Sequence, residues 1–179
     1  FQVYVGGLGG QRPQLPVGSD ALEQAANAAM TPEASGYLNG MTDSMQANRA
    51  AFRRWRIVPR MLRDVAERDL SIELFKKRYP FPFLLAPIGV HSIVHPDAEA
   101  GVARAAAASG VPMIFSTAST MPLEQVAQAM GQAPRWFQLY WSKDRAFNAS
   151  IVQRAERAGC EAIVVTLDTF LLAWRSHDI

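Results

Sequence analysis

From Pro82 onward the chain alternates two patterns. Phe83–Pro87, Met113–Ser116, Trp136–Tyr140 and Ala162–Leu167 are short apolar runs. Between them Asp97–Ser109, Leu123–Met130 and Asp144–Ala158 have helical composition, and Gly110, Gly131 and Gly159 follow their ends. Runs without polar alternation suit strands buried on both faces. Glycine supplies the left-handed backbone that commonly closes a helix. The runs start about every 25 residues, the span of one βα unit. The expected class is α/β, with four parallel strands joined by right-handed crossovers.

Two architectures begin this way, an open doubly wound sheet and a (β/α)8 barrel. No GxGxxG follows the first run and no GxxxxGK[ST] occurs, which weighs against a nucleotide-binding open sheet. Polar residues instead stand at the ends of the later runs: Ser116 and Thr117, Gln138 and Tyr140, Thr166 and Asp168. Barrel enzymes carry their chemistry at that end. The expectation is the N-terminal half of a (β/α)8 TIM barrel, residues 82–179, preceded by an arm and helices over 1–81. Four units alone leave two open sheet edges. A second chain or segment is therefore expected to carry the other half.

The N-terminal part has no internal repeat. Gly6, Gly7, Gly9, Gly10 and Gly18 fall within the first 18 residues and predict an irregular arm. Ser19-Asp20 read as a cap before a helix over Ala21–Met30, and Thr31-Pro32 as a second helix start. A third helix is expected from Asp43 to Arg53.

Composition narrows the function classes. The chain is 49% apolar and 19% charged, a globular balance. A net charge of +2 gives no ground for a nucleic-acid partner. Seven arginines between Arg49 and Arg68 are interrupted by Asp64 and Glu67, with Asp69 just beyond, and read as a solvated, salt-bridged face. No apolar run approaches the ~20 residues of a membrane helix. A single cysteine, Cys160, excludes an internal disulfide and reads as a packed small residue. His91 and His95 are spaced like metal ligands, but Pro96 marks a helix entry, and no metal is expected. The chain begins at Phe1 without a signal sequence, and reads as cytoplasmic and trimmed at its start.

Several ordered motifs carry a resemblance. They are Asn48-Arg49-Ala50-Ala51-Phe52, Pro59-Arg60-Met61-Leu62-Arg63-Asp64-Val65, Leu85-Ala86-Pro87-Ile88-Gly89 and His95-Pro96-Asp97. Phe137-Gln138-Leu139-Tyr140, Lys143-Asp144-Arg145 and Val165-Thr166-Leu167-Asp168-Thr169 complete the set. From about Pro32 to its last residue the chain resembles the FMN-dependent α-hydroxy-acid oxidases and dehydrogenases. The segment RRWRIVPRMLRDV and the arm YVGGLGG with LPV are most similar to the lactate 2-monooxygenase branch.

The resemblance implies a (β/α)8 barrel with FMN at its C-terminal mouth. Pro87, Ile88 and Gly89 would lie along the flavin, and Ser116, Gln138 and Thr166 would bond its polar atoms. Tyr37 and Arg175 would hold the substrate carboxylate. Tyr140 would hydrogen-bond the substrate near its reacting carbon. Asp168 would orient a catalytic histidine. That histidine, its neighbouring arginine, the flavin-binding lysine and the phosphate-binding arginine belong to the family's second half, and their motifs do not occur here. The segment Tyr37–Asn48 is also shorter than the family pattern.

The implied reaction is oxidation of a small L-2-hydroxy acid with O2, in a homo-oligomer, most often a tetramer. A monooxygenase would turn lactate into acetate, carbon dioxide and water. An oxidase would release peroxide. Gly89 is expected to leave room beside the flavin where many oxidases carry alanine. A third reading is a non-catalytic half-barrel acting as a structural partner.

Overall fold

The computed structural model describes residues 2–40, 43–168 and 171. They fall into two compact units divided between Ala50 and Ala51, earlier than the change of pattern at Pro82.

The first unit is helical: α1 (Gln2–Leu8), α2 (Ser19–Ala29), α3 (Pro32–Asn39) and α4 (Asp43–Ala51), the last running to the boundary. The glycine-rich arm is thus a helix in part. Gly9 and Gly10 close it, with Gly10 at φ 80° and the Gln11 N–H on the Gly6 carbonyl at 2.9 Å. Ser19-Asp20 do not cap α2, because Gly18 takes the cap position and no side chain bonds there. Thr31 does cap α3, accepting the Ala34 N–H at 3.3 Å with Pro32 behind it. Asn27 Oδ1 joins α2 to α3 by accepting from Asn39 Nδ2 (2.5 Å) and Ser35 Oγ (3.3 Å). Arg49 grips Glu23 with both terminal nitrogens, at 2.7 and 3.3 Å.

The second unit contains a small antiparallel hairpin and a parallel α/β layer. The hairpin pairs β1 (Ile72–Leu74) with β2 (Lys77–Tyr79). The layer runs α5 (Ala98–Ser109), β3 (Met113–Ser116), α6 (Leu123–Met130), β4 (Arg135–Tyr140), α7 (Arg145–Arg157) and β5 (Ile163–Thr166). The sheet order is β3-β4-β5, all parallel. Gly110, Gly131 and Gly159 all have positive φ at the helix ends where the sequence placed them.

The first apolar run is corrected. Within Phe83–Pro87 only Leu85 pairs, through a single parallel bridge to Met113. Pro82 and Pro87 bracket the run and lack the N–H a ladder needs. Phe83 is 60% exposed.

Strand residues alternate between two faces. Met113, Phe115, Phe137 and Leu139 pack under α5, α6 and α7 with Ala103, Val126, Met130 and Ala155. Arg135 shares that face and is buried. It donates to the Ala127 carbonyl at 2.8 Å and to the Gly131 carbonyl, so a cation serves the C-terminal end of α6. Cys160 packs against the same cluster, and burial pushes its thiol up to about 11.

The hairpin covers Trp136, at the start of β4. Phe75 and Tyr79 meet its ring edge-on, at 5.5 and 6.5 Å. Tyr79 Oη accepts from Trp136 Nε1 at 3.3 Å and donates to Glu161 at 2.6 Å, and Lys77 pairs with the same carboxylate. Within the arginine strip, Arg49 is bridged to Glu23 of α2. Asp69 pairs with Arg78, while Arg56 and Arg68 donate to nearby backbone carbonyls. No helix among the described residues is long and apolar enough to cross a membrane.

Arg154 of α7 binds Glu124 of α6 in a two-point grip, at 2.7 and 2.8 Å. The Arg154 hydrogen bond holds the Glu124 carboxyl down at about 2. Because that value is depressed, the stabilisation is full above the unfolded value and fades as pH falls. Glu124→Gln should cost about 0.5–1 kcal/mol at neutral pH, the range for a largely exposed pair. In urea denaturation at stepped pH, the difference should close between 4.5 and about 2.

Candidate functional site

Ser116, Gln138, Tyr140 and Thr166 share the sheet face opposite the helices, at the C-terminal ends of β3, β4 and β5. Ser116 stands beside Gln138, and Tyr140 beside Thr166. Gln138 is only 1% exposed, so each polar atom of its amide needs a partner. Its Oε1 accepts from Ser116 Oγ and from the Thr117 N–H, both at 3.2 Å. Its Nε2 donates to Thr166 Oγ1 at 2.8 Å. One side chain therefore ties three strands together.

Thr117 tightens the knot. Its hydroxyl donates to the Gln138 carbonyl at 2.6 Å and accepts the Tyr140 N–H at 3.1 Å. Ser116 Oγ accepts the Ala118 N–H at 3.0 Å. With both Oε1 lone pairs committed, Gln138 offers a ligand one remaining N–H. The Tyr140 hydroxyl has no hydrogen bond among the described residues, and neither do the N–H groups of Ile88 and Gly89.

Pro87, Ile88 and Gly89 lead from the Leu85 bridge into the same end of the unit. The Val90 N–H bonds the Ala118 carbonyl at 3.0 Å, and Val90 adopts a left-handed φ of 57°. Gly89 lies hard against that contact. A Cβ added there would meet Ala118 Cβ at 2.8 Å and its carbonyl oxygen at 3.1 Å. The expected free room beside Gly89 is therefore corrected: Ala118 already fills it on the side a methyl would enter.

Three further expected residues are Tyr37, Asp168 and Arg175. Tyr37 is half-buried on α3, in the first unit. Asp168 follows β5, is exposed, and has no hydrogen bond among the described residues. Arg175 lies outside the described residues. His95 Nδ1 accepts the Asp97 N–H at 3.1 Å, as a helix entry does. No group of three or more His, Cys, Asp and Glu side chains converges among the described residues.

One group was missed from sequence. Glu99, in the first turn of α5, is 1% exposed. Burial pushes its carboxyl up, but the Thr120 and His91 hydrogen bonds outweigh it and hold it below the ordinary range. Nothing in the surrounding Ala-Glu-Ala-Gly marks this acid; its destination is two loops distant in sequence.

Residues 26–179 match the family described as FMN-dependent dehydrogenase. An FMN-dependent alpha-hydroxy acid dehydrogenase of Schizosaccharomyces pombe is 39% identical over 99% of this chain and 45% of its own length. An L-lactate oxidase of Lysinibacillus sphaericus is 43% identical over 92% of this chain and 44% of its own. Among solved structures, a lactate oxidase of Pediococcus acidilactici superposes with TM-score 0.84 at 33% identity, covering 89% of this chain and 45% of that one. A mandelate oxidase gives 0.81 at 39% identity, covering 87% and 47%. The chain spans about half the length of the curated relatives it matches.

Gln138→Leu keeps the volume but removes the acceptor of Ser116 Oγ and the donor to Thr166 Oγ1, while the Thr117 N–H keeps the Gln138 main-chain carbonyl at 3.1 Å. It should lower stability by about 2–3 kcal/mol in urea denaturation. Gly89→Ala should cost about 1–3 kcal/mol through the Ala118 clash. Adding Ala118→Gly should return most of that loss in a double-mutant cycle.

Proposed function

Because this chain belongs to the FMN-dependent dehydrogenase family, we propose that it forms the N-terminal half of a barrel enzyme oxidising a small L-2-hydroxy acid, with L-lactate as substrate. The observation that carries this reading is the donor set at the strand ends. Ile88 N–H, Gly89 N–H, the second Gln138 Nε2 hydrogen and the Thr166 hydroxyl are all uncommitted donors on one rim. A flavin ring presents acceptor oxygens and nitrogens along one edge, and such a row of donors fits it. These residues, with Pro87 and Ser116 behind them, would hold FMN. Bound FMN supplies the two-electron acceptor that the amino acids themselves lack.

This chain's own residues bind and orient. The free Tyr140 hydroxyl donates to the substrate oxygen at the carbon to be oxidised. Tyr37 and Arg175 hold the carboxylate, arginine by its two-pronged fork. Asp168 orients a histidine supplied by the remaining barrel segment, which takes up the proton. The complete protein assembles as a homo-oligomer in the cytoplasm.

The branch is read as lactate 2-monooxygenase, supported by the RRWRIVPRMLRDV segment. In that branch lactate and O2 yield acetate, carbon dioxide and water. The likeness to L-lactate oxidases favours a second reading, in which lactate and O2 yield pyruvate and hydrogen peroxide.

The deciding test uses the full-length protein, its visible absorption spectrum and its products from L-lactate under air. A flavin spectrum with acetate and carbon dioxide supports the first reading. Stoichiometric peroxide with pyruvate replaces it by the second. A protein that takes up no flavin and turns over no hydroxy acid overturns both and leaves a structural half-barrel. Tyr140→Phe should lower kcat/KM for L-lactate about 10–100-fold while flavin uptake is unchanged.

A further inference from the structure

Glu99 stands behind the donor rim and touches none of the residues that the proposed reaction uses. Its Oε1 accepts the Thr120 N–H at 2.8 Å and the His91 N–H at 3.3 Å. Its Oε2 accepts the Thr120 hydroxyl at 2.8 Å and the Met121 N–H at 3.2 Å. His91 Nδ1 is buried without a hydrogen bond among the described residues, 3.8 Å from Oε1. Four donors from two loops thus converge on one fully buried carboxylate.

The sequence positions of these donors matter. His91 lies two residues past Gly89, and Thr120 two residues past Ala118. Gly89 and Ala118 form the close contact that the Val90 hydrogen bond spans. Glu99 therefore grips both loops just beyond their point of contact. An acid that merely served the dipole of α5 would face solvent at the first turn. This one is turned inward, where desolvation is costly unless the bonds are made.

We propose that Glu99 is a positioning residue that fixes the separation of the 87–91 and 117–121 loops, and with it the spacing of the Ile88, Gly89 and Ser116 groups toward flavin. The proposal rests on the FMN reading given above. Glu99→Gln keeps one carbonyl oxygen but turns an NH2 toward the Thr120 and Met121 donors. In either orientation of the amide, an NH2 faces backbone N–H groups that the carboxylate accepted, that of Met121 or those of Thr120 and His91, while the shape of the side chain is retained.

The experiment takes the full-length protein as wild type, Glu99→Gln and Met130→Ala. Met130 is a buried residue at the far end of α6 and controls for lost stability alone. Two quantities are read. One is the FMN dissociation constant, from quenching of flavin fluorescence. The other is amide hydrogen exchange over 87–91 and 117–121 in the flavin-free protein. Glu99→Gln should weaken FMN binding about tenfold and speed exchange in both loops together. Met130→Ala should do neither, although it lowers the melting temperature. An FMN affinity within about twofold of wild type, or exchange altered in one loop only, overturns the proposal. Wild-type protein that binds no FMN overturns the flavin reading instead. The exchange data then decide the clamp by themselves, concerted opening supporting it and unchanged loops refuting it.

Discussion

A parallel strand cannot be reached from its neighbour by a tight turn. The chain must travel back to the starting edge before it can run forward again. The effect is plainest at β4. It is hydrogen-bonded on both edges, to β3 and β5, and Phe137, Gln138 and Leu139 are all nearly inaccessible. The return paths are α5, α6 and α7, and right-handedness puts all three on one face. That face takes the apolar side chains, and the other takes Gln138, Tyr140 and Thr166. The division between packing and chemistry is a by-product of connectivity.

Such a layer has a recurring difficulty where strands end, because backbone groups lose their ladder partners while still partly buried. Three buried polar side chains resolve it. Gln138 spans the strand ends, and Glu99 gathers the loops ahead of α5 and α6. Asn148 does the same after β4, accepting the Ser142 N–H at 3.0 Å and donating to the Ser142 carbonyl at 2.8 Å. All three are rigid because they are satisfied, and all three stand at the end where the donor rim lies. A site built this way is held from behind by polar contacts and from below by apolar ones.

The helices and strands of this layer were legible because their signals are local. Glycines at 110, 131 and 159 do what glycine does at a helix end, and MIFS and WFQLY are too apolar to lie elsewhere. The hairpin was not legible. Its turn places Phe75 and Lys76 at φ 51° and 64°, a conformation that ordinarily calls for Asn-Gly. Only Tyr79 of its short strands is fully buried, so no alternation advertises it. The rim residues Ser116, Gln138 and Thr166 were readable as strand-end polar groups. The commitment of the Gln138 acceptor was not, because it depends on Ser116 and Thr117 one strand away. Glu99 was invisible for the same reason, since an acid near a helix start is ordinary until its surroundings are known. Gly89 shows the opposite error. A missing side chain was read as space, and the structure shows a neighbour pressed into it.

The cover over Trp136 also orders events in time. Lys77 and Tyr79 find Glu161 across 84 and 82 residues of chain. On a ribosome that emits residues from the N-terminus at roughly 5–20 per second, the hairpin is complete for several seconds before its carboxylate anchor exists. During that interval Phe75 and Tyr79 have no finished partner, and the closed loop that will join them carries its full entropic cost. The base of this layer is thus sealed by a residue made long after the hairpin itself. Its earliest strands wait exposed, a period in which nascent-chain chaperones have something to hold.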